Sequence, residues 1–369
     1  MNGLVRRVLV VFGIALATLV IVVGGYVAYL SITYSRIPDG ESVEVANNVD
    51  GTTVAVGKDY TVLTYNIGFG AYTPDYTFFM DEGIMKDGTK TVGKHSVASS
   101  KESVLACTDG AIDVIVQADP DFVLAQEVDV DSTRSYGVNQ REAICSAFGD
   151  KGVAFATNFH SAFLAYPFSE PHGIVNAGLL SLSGTHVDSA VRRTYPIDEK
   201  FPTKFFDLDR CFLVERLPVD NGKELVLVNS HMSAYDEGGV IRAAQMKLLM
   251  GVLEQEYAQG DYVIAGDDWN HALCGSELLY RSMQDTPPWL ATFDESFLPR
   301  GFSVVRPTNL AEVATCRGAD IAYEPGVSYQ VTIDGFIVSD NVKASATNID
   351  TGYAYSDHNP VELTFSLVK

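Results

Sequence analysis

Basic side chains are scarce in this 369-residue chain, which carries 26 Lys and Arg against 47 Asp and Glu for a formal net charge of −21. So acidic a surface repels a polyphosphate backbone over most of its area, because nucleic-acid affinity rests on the opposite charge. A nuclease would need a local basic patch, for which Arg192, Arg193, Lys204 and Arg210 lie close together in sequence. Cysteine is sparse too. Cys107, Cys145, Cys211, Cys274 and Cys316 show no C-x-x-C spacing, which argues against a structural zinc site. The first three read as small core hydrophobes. Cys274 and Cys316 fall in loop-like sequence, where export would permit a disulfide between them. Thr61 to Lys369 holds no Gly/Ser tract, charge block or fixed-period repeat, so one domain is expected there although the length would permit two.

Charge is missing altogether from Val8 to Ser35, a run long enough to cross a bilayer as a helix. Arg6 and Arg7 precede it and only Arg36 follows closely, so the N-terminus is expected in the cytoplasm and the remainder outside, in a single-pass cell-membrane protein. A cleaved signal peptide is the rival reading, opposed by the length of the run and the lack of an A-x-A site. Residues 1–36 are thus expected to be a cytoplasmic stub and anchor, 37–58 a tether with Pro38, Gly40 and Asn47-Asn48, and 59–369 a catalytic domain. Without its anchor the chain has 23 basic and 47 acidic residues, a net charge of −24.

Short polar clusters stand where apolar runs stop: Asn66 in LTYNIGFG, Glu127 in VLAQEVD, His231 in LVLVNSHMS, Asp268 and Asn270 in YVIAGDDWNH, Asp334 in VTIDGFIVS, and Asp357 with His358 in YSDHNPVEL. Runs rich in Val, Leu, Ile and Tyr predict buried strands. A carboxylate, amide or imidazole at such a terminus must be hydrogen-bonded, paired or metal-bound. None of these positions carries Ser or Cys as a nucleophile, so the set points to a shared metal and water site, as in a metal-dependent hydrolase.

In order, N … QE … NSH … GDDWN … DGFIVS … SDHNPV resembles the endonuclease/exonuclease/phosphatase superfamily, which includes the DNase I-like nucleases. The resemblance runs from about Thr61 to the C-terminus. It implies an α/β fold in which a two-sheet β-sandwich is flanked by helices, and a Mg2+-assisted phosphoesterase, with Mn2+ as a possible substitute. A phosphodiester resists attack because its oxygens are already negative, so a hard cation must neutralise one as charge builds. Mg2+ takes oxygen ligands and keeps several waters. Glu127 is the first expected ligand, with Asn66 beside it and Asp357 contributing. Asp268 and Asn270 can place a carboxylate and an amide on the attacking water. The family string is Gly-Asp-x-Asn, whereas here Gly266-Asp267-Asp268-Trp269-Asn270 holds an extra residue. Counting back from Asn270 selects Asp268; counting forward from Gly266 selects Asp267. The resemblance also implies that Asp334 partners His358 and that His231 contacts the scissile phosphate. His95, His160, His172 and His186 read as structural, and His271 is undecided.

Helices are predicted over Lys101–Gln117 and Val240–Tyr257, and strands over Tyr60–Tyr65, Phe122–Ala125, Glu224–Val228, Tyr262–Ala265, Gln330–Ile333 and Val361–Leu367. The stretch 68–100, with Tyr72, Tyr76, Phe78, Phe79 and Met80, reads as a long loop folding its aromatics onto the domain, the other reading being a substrate-facing or membrane-facing lip. The favoured function is a phosphodiesterase acting on a lipid head group or small phosphoester. A nuclease acting on DNA or RNA is the runner-up, and a catalytically silent binding module the alternative of another class. No protein partner is inferable.

Overall fold

The computed structural model describes residues 3–205, 209–234, 236 and 239–368, and within them the apolar runs form the strands of two stacked sheets. The strands are β1 (Glu41–Val43), β2 (Val45–Ala46), β3 (Asp59–Asn66), β4 (Phe122–Asp129), β5 (Gly152–His160), β6 (Asn176–Ser183), β7 (Ser189–Thr194), β8 (Cys211–Pro218), β9 (Glu224–His231), β10 (Tyr262–Asp268), β11 (Phe302–Val304), β12 (Asp334–Ser339), β13 (Val342–Asn348) and β14 (Val361–Leu367). One seven-stranded sheet runs β1-β7-β8-β9-β10-β12-β11 and the other β13-β14-β3-β4-β6-β5-β2. The helices are α1 (Gly3–Thr33), α2 (Lys101–Ala118), α3 (Gln140–Ala147) and α4 (Val240–Ala258).

Alternation along the strands sends one set of side chains between the sheets and the other outward. Leu124, Leu225, Leu227, Ile264, Phe336, Leu363 and Phe365 fill the space between the sheets. Outward-facing Val226, Val228, Val263 and Ala265 meet Met246, Leu249 and Leu253 of α4. On the other side Leu63, Tyr65, Val123 and Leu180 meet Ala111 and Ile115 of α2 and Ile144 of α3. The expected helix-flanked two-sheet sandwich is therefore the architecture found.

Helix α2 starts where Ser100 accepts a hydrogen bond from the Ser103 amide and stops at Asp119, whose left-handed φ of 47° precedes Pro120, an N-cap and a breaker in the expected places. Gly266 leaves no room for a side chain: a Cβ there would lie 2.7 Å from both Leu124 Cδ1 of the facing sheet and Phe336 Cε1 of the neighbouring strand.

The segment expected to be a tether is laid along the sandwich. β1 pairs with β7 and β2 with β5, extending both sheets at the same side. The strand expected over Gln330–Ile333 is also different: Gln330–Val331 pairs with Cys316–Arg317, and a new strand, β12, begins at Asp334. The Thr315 hydroxyl takes the amides of both Ile333 and Asp334, which breaks the ladder at that point. The 68–100 stretch buries Phe69, Tyr72, Tyr76 and Phe78 against one another, as the loop reading expects, but Met80 stays exposed and Glu82–Ile84 pairs with Lys90–Val92 in a short antiparallel ladder that reading lacks.

Candidate active site

Strand registry gathers the polar termini at one end of the sandwich. In the parallel β9–β10 pair, His231 lies opposite Asp268. In the antiparallel β10–β12 pair, Asp268 lies opposite Asp334. In the parallel β3–β4 pair, Asn66 lies opposite Gln126, one residue before Glu127. The chain then bulges between Ala125 and Val128, and Glu127 adopts a φ of 55°. A bulge re-aims a side chain, and a left-handed non-glycine residue costs about 1–3 kcal/mol. Here that geometry turns Glu127 out of the ladder toward Asn66.

Asp268 is the hub. Its Oδ2 accepts from Asn66 Nδ2 at 2.9 Å and lies 3.3 Å from His231 Nε2 and 3.7 Å from His358 Nε2. Its Oδ1 accepts from the Asn270 amide at 3.1 Å. Burial alone would raise its pKa, but the two imidazoles and Asn66 outweigh it and hold the carboxylate ionised. His358 Nδ1 sits 2.9 Å from Asp334 Oδ2. Burial works against the imidazolium, yet Asp334, helped by Asp268 and Asp357, raises its pKa well above the usual histidine value. His231 goes the other way, lowered by burial and by Arg210. The two imidazoles are thus shifted in opposite directions, a division of the kind that separates acid and base roles.

Asn66 Nδ2 also reaches Glu127 Oε1 at 3.3 Å, while its Oδ1 accepts from the Gly68 amide. Asn66 thus links Glu127 to Asp268. Glu127 and Asp357 are half-buried, in contrast to the buried Asp268, Asp334, His231 and His358. Burial pushes Asp357 up to about 7, with Glu127 adding to the rise against His358 and Arg317. Glu127 is lowered, because Arg134, His231 and Arg210 overcome its burial. Two half-buried oxygen-donor carboxylates, one of which raises the pKa of the other, fit a hard divalent cation. Asp268, Asp334 and His358 also bring ligand atoms within 4.8 Å of one another. There, however, both imidazole nitrogens face carboxylates, an arrangement that a proton on the ring already satisfies.

Pleating decides between the adjacent acids. Asp268 points into the site, and Asp267 turns to the α4 side beside Ser230, which bonds Tyr195 at 2.8 Å. Burial raises Asp267 well above the usual carboxylate value, which disfavours its charged form. Asn270, at a φ of 49°, donates its side-chain amide to the Met232 carbonyl. His271 is buried with Nδ1 2.5 Å from the Trp269 carbonyl, a local structural contact.

Three further residues shape the site. Ser356 Oγ bonds the Asn66 carbonyl and accepts from the His358 amide, tying the C-terminal motif to β3. Arg134 chelates Asp129 with contacts of 2.8 and 3.1 Å and stacks 3.9 Å from the Phe69 ring centroid. Arg210 acts on His231 and Glu127 through its charge. Ser356 lies inside the quoted motif; Arg134 stands in a short 3-10 turn, Thr133–Ser135, with no motif around it to mark it in the sequence. Of the proposed basic patch, Arg210 reaches the site by its charge and the other three are engaged elsewhere. Arg192 is buried on the Thr157 and Asp209 carbonyls, Arg193 pairs with Asp39, and Lys204 lies over the Tyr34 ring. All five cysteines are free, so the Cys274–Cys316 disulfide that export would permit is not formed; Cys316 is buried beside His358.

No family model matches the chain, and no curated protein matches its sequence. Solved structures do match. An endonuclease/exonuclease/phosphatase from Beutenbergia cavernae superposes with a TM-score of 0.55 at 14% identity, covering 84% of this chain and 72% of that one. The chain has the endonuclease/exonuclease/phosphatase fold. The same fold relates it to ANGEL2, described as a 2',3'-cyclic phosphatase in complex with adenosine-2',3'-vanadate (TM-score 0.51, 15% identity, 90% of this chain and 99% of that one). It also relates it to D. rerio TDP2 complexed with a single-strand DNA product (TM-score 0.51, 12% identity, 84% and 99%).

Proposed function

We propose that this protein is a membrane-anchored, exported, divalent-metal-dependent phosphoester hydrolase, with Mg2+ as its ion and a lipid head group or small phosphodiester as its substrate. The observation that supports this best is an ionised Asp268 held by Asn66 and two imidazoles, beside the Glu127 and Asp357 carboxylates. Glu127 and Asp357, with Asn66 beside them, would hold the cation, which when bound supplies charge neutralisation at a phosphoryl oxygen.

The remaining steps belong to the chain's own side chains. Asp268 orients the attacking water and accepts its proton, with Asn270 fixing the turn that presents it. The charged His358, held by Asp334, faces negative charge growing on the phosphoryl group, and His231, 3.3 Å from Asp268 Oδ2 through Nε2, helps to orient that carboxylate. Preorganised donors of this kind are worth most where water is excluded. Each of these positions keeps a chemically competent residue, which disfavours a silent binding module. The N-terminal helix α1 is long and apolar enough to cross a membrane, and the Arg6-Arg7 flank supports export of the domain.

A nuclease is the second reading, favoured by the DNA product bound to the fold relative TDP2. The acidic surface and the engagement of Arg192, Arg193 and Lys204 elsewhere weigh against it. Hydrolysis of bis-p-nitrophenyl phosphate, phospholipid vesicles, phosphomonoesters and linear DNA by the full chain in detergent, across a salt series, tests the ranking. Cleavage of the small or lipid diester with little salt dependence supports it. Cleavage of DNA alone, strongest at low salt, overturns it.

A further inference from the structure

We infer that two aromatic loops beside the exit of α1 form a seat in the membrane interface, which fixes the domain on the lipid surface instead of leaving it on a free tether. Helix α1 meets the domain through one face: Tyr26, Tyr29 and Leu30 follow i, i+3, i+4 spacing, and Leu30 is buried. Tyr26 Oη donates to the Phe163 carbonyl at 3.1 Å and accepts from the Ala165 amide at 3.0 Å. Tyr29 Oη accepts from the Phe163 amide at 3.0 Å. Three bonds thus clamp the loop after β5 to the last turns of the helix.

Height along the helix says what this loop meets. At ~1.5 Å of rise per residue, Tyr26 stands ~29 Å and Tyr29 ~33 Å beyond Arg7, against a hydrocarbon thickness of ~30 Å. With Arg7 at the cytoplasmic interface, both tyrosines fall at the opposite one, the level where amphipathic rings concentrate. The backbone of Phe163 and Ala165 is bonded to those tyrosines and sits at the same level.

The side chains that follow are apolar and open. Phe168 is 85% exposed and Tyr166 59%, with ring centroids 5.9 Å apart. A second finger flanks the exit: Phe205 packs on Tyr34 and on Phe201, which is itself 64% exposed. His160 and Asp209 lock the chain between the fingers, His160 through Ser35 and Asp209 through Arg36. Large exposed aromatics in water are unfavourable, and the bilayer that α1 crosses is the one apolar phase at this level. Lys200 and Lys204 are accompanied by Asp198, Glu199 and Glu170, so the contact is apolar and needs no anionic lipid. The seat connects to the site, since Tyr166 meets Phe79, Phe79 meets Phe78, and Phe78 packs on Phe69 and Tyr72.

The proposal rests on the membrane-spanning reading of α1 and not on the reaction. It is tested in the full chain reconstituted into phosphatidylcholine vesicles, with tryptophan reporters at Phe12→Trp, Phe168→Trp and Ser345→Trp, the last on β13 at the far edge of its sheet. Lipids brominated near the head of the acyl chain quench tryptophans at that depth. The Phe168→Trp emission is expected to shift to the blue and lose intensity, unchanged at high salt, with Ser345→Trp unaffected. Quenching of Phe12→Trp without Phe168→Trp overturns the seat alone. No quenching of Phe12→Trp overturns the seat together with the anchor, and equal quenching of Phe168→Trp and Ser345→Trp shows contact without a defined seat, which also overturns it.

Discussion

Replacing Asp268 by Asn isolates charge from shape. The side chains are isosteric, so an amide oxygen at position 268 can still accept from Asn66 Nδ2, now 2.9 Å from the carboxylate. What is lost is the negative charge facing His231 and His358 and the ability to take a proton from water. Removal of a general acid/base group lowers rates by about 10²–10⁴-fold, so at least ~100-fold is expected, or ~2.7 kcal/mol of barrier at 1.36 kcal/mol per tenfold. Asp267→Asn changes a buried side chain whose charged form burial disfavours, on the far side of the sheet from the site, and its rate should fall by no more than a few-fold. Turnover of bis-p-nitrophenyl phosphate at saturating Mg2+, with melting curves for both variants, measures the contrast. If Asp267→Asn lost as much rate as Asp268→Asn while both stayed folded, the assignment of the hub would be wrong.

Gly68 has a φ of 54°, and a Cβ there would lie 2.7 Å from Tyr72 Cδ2 and 3.1 Å from Asp357 Oδ1; Gly68→Ala should therefore add ~1–2 kcal/mol of backbone strain and raise the Mg2+ concentration needed for half-maximal activity. Burial, helped by Arg134, lowers His172 from 6.5 to about 4, so the unfolded chain binds a proton first as pH falls. Stability from this group is complete above pH 6.5 and is lost toward pH 4, by up to ~3 kcal/mol at 1.36 kcal/mol per pH unit; denaturant titrations of wild type and His172→Gln across that window should converge at the acid end. External protease on intact cells should remove the domain and leave a short anchored stub, whereas protection until lysis would place the domain inside.

Much of the site was legible because each of its residues closes an apolar run, and strand termini at one end of a sandwich converge whatever the loops do. Register supplied what the pattern could not. Asp267 satisfies the Gly-Asp half of Gly-Asp-x-Asn and Asp268 the Asp-x-Asn half, and only the pleat of β10 separates them. The apolar patterns of β5, β7 and β8 are interrupted by Asn158, Arg192, Arg193 and Glu215, so no strand is expected there; Arg192 and Glu215 are buried all the same. The tether was misread because Glu41–Ala46 is short and polar, and strands at a sheet edge need little hydrophobicity. Arg134 escaped notice because its role depends on Asp129 and Phe69, a contact made by the fold.

The most direct test is a Mg2+ titration of chelator-treated protein, comparing wild type with Glu127→Gln and Asp357→Asn on a soluble phosphodiester. Chelation should abolish wild-type turnover and Mg2+ or Mn2+ should restore it, while both variants should need much higher Mg2+ and keep wild-type melting behaviour. Full turnover in excess chelator, or wild-type Mg2+ saturation in Glu127→Gln, would contradict a metal-assisted site built on Glu127 and Asp357.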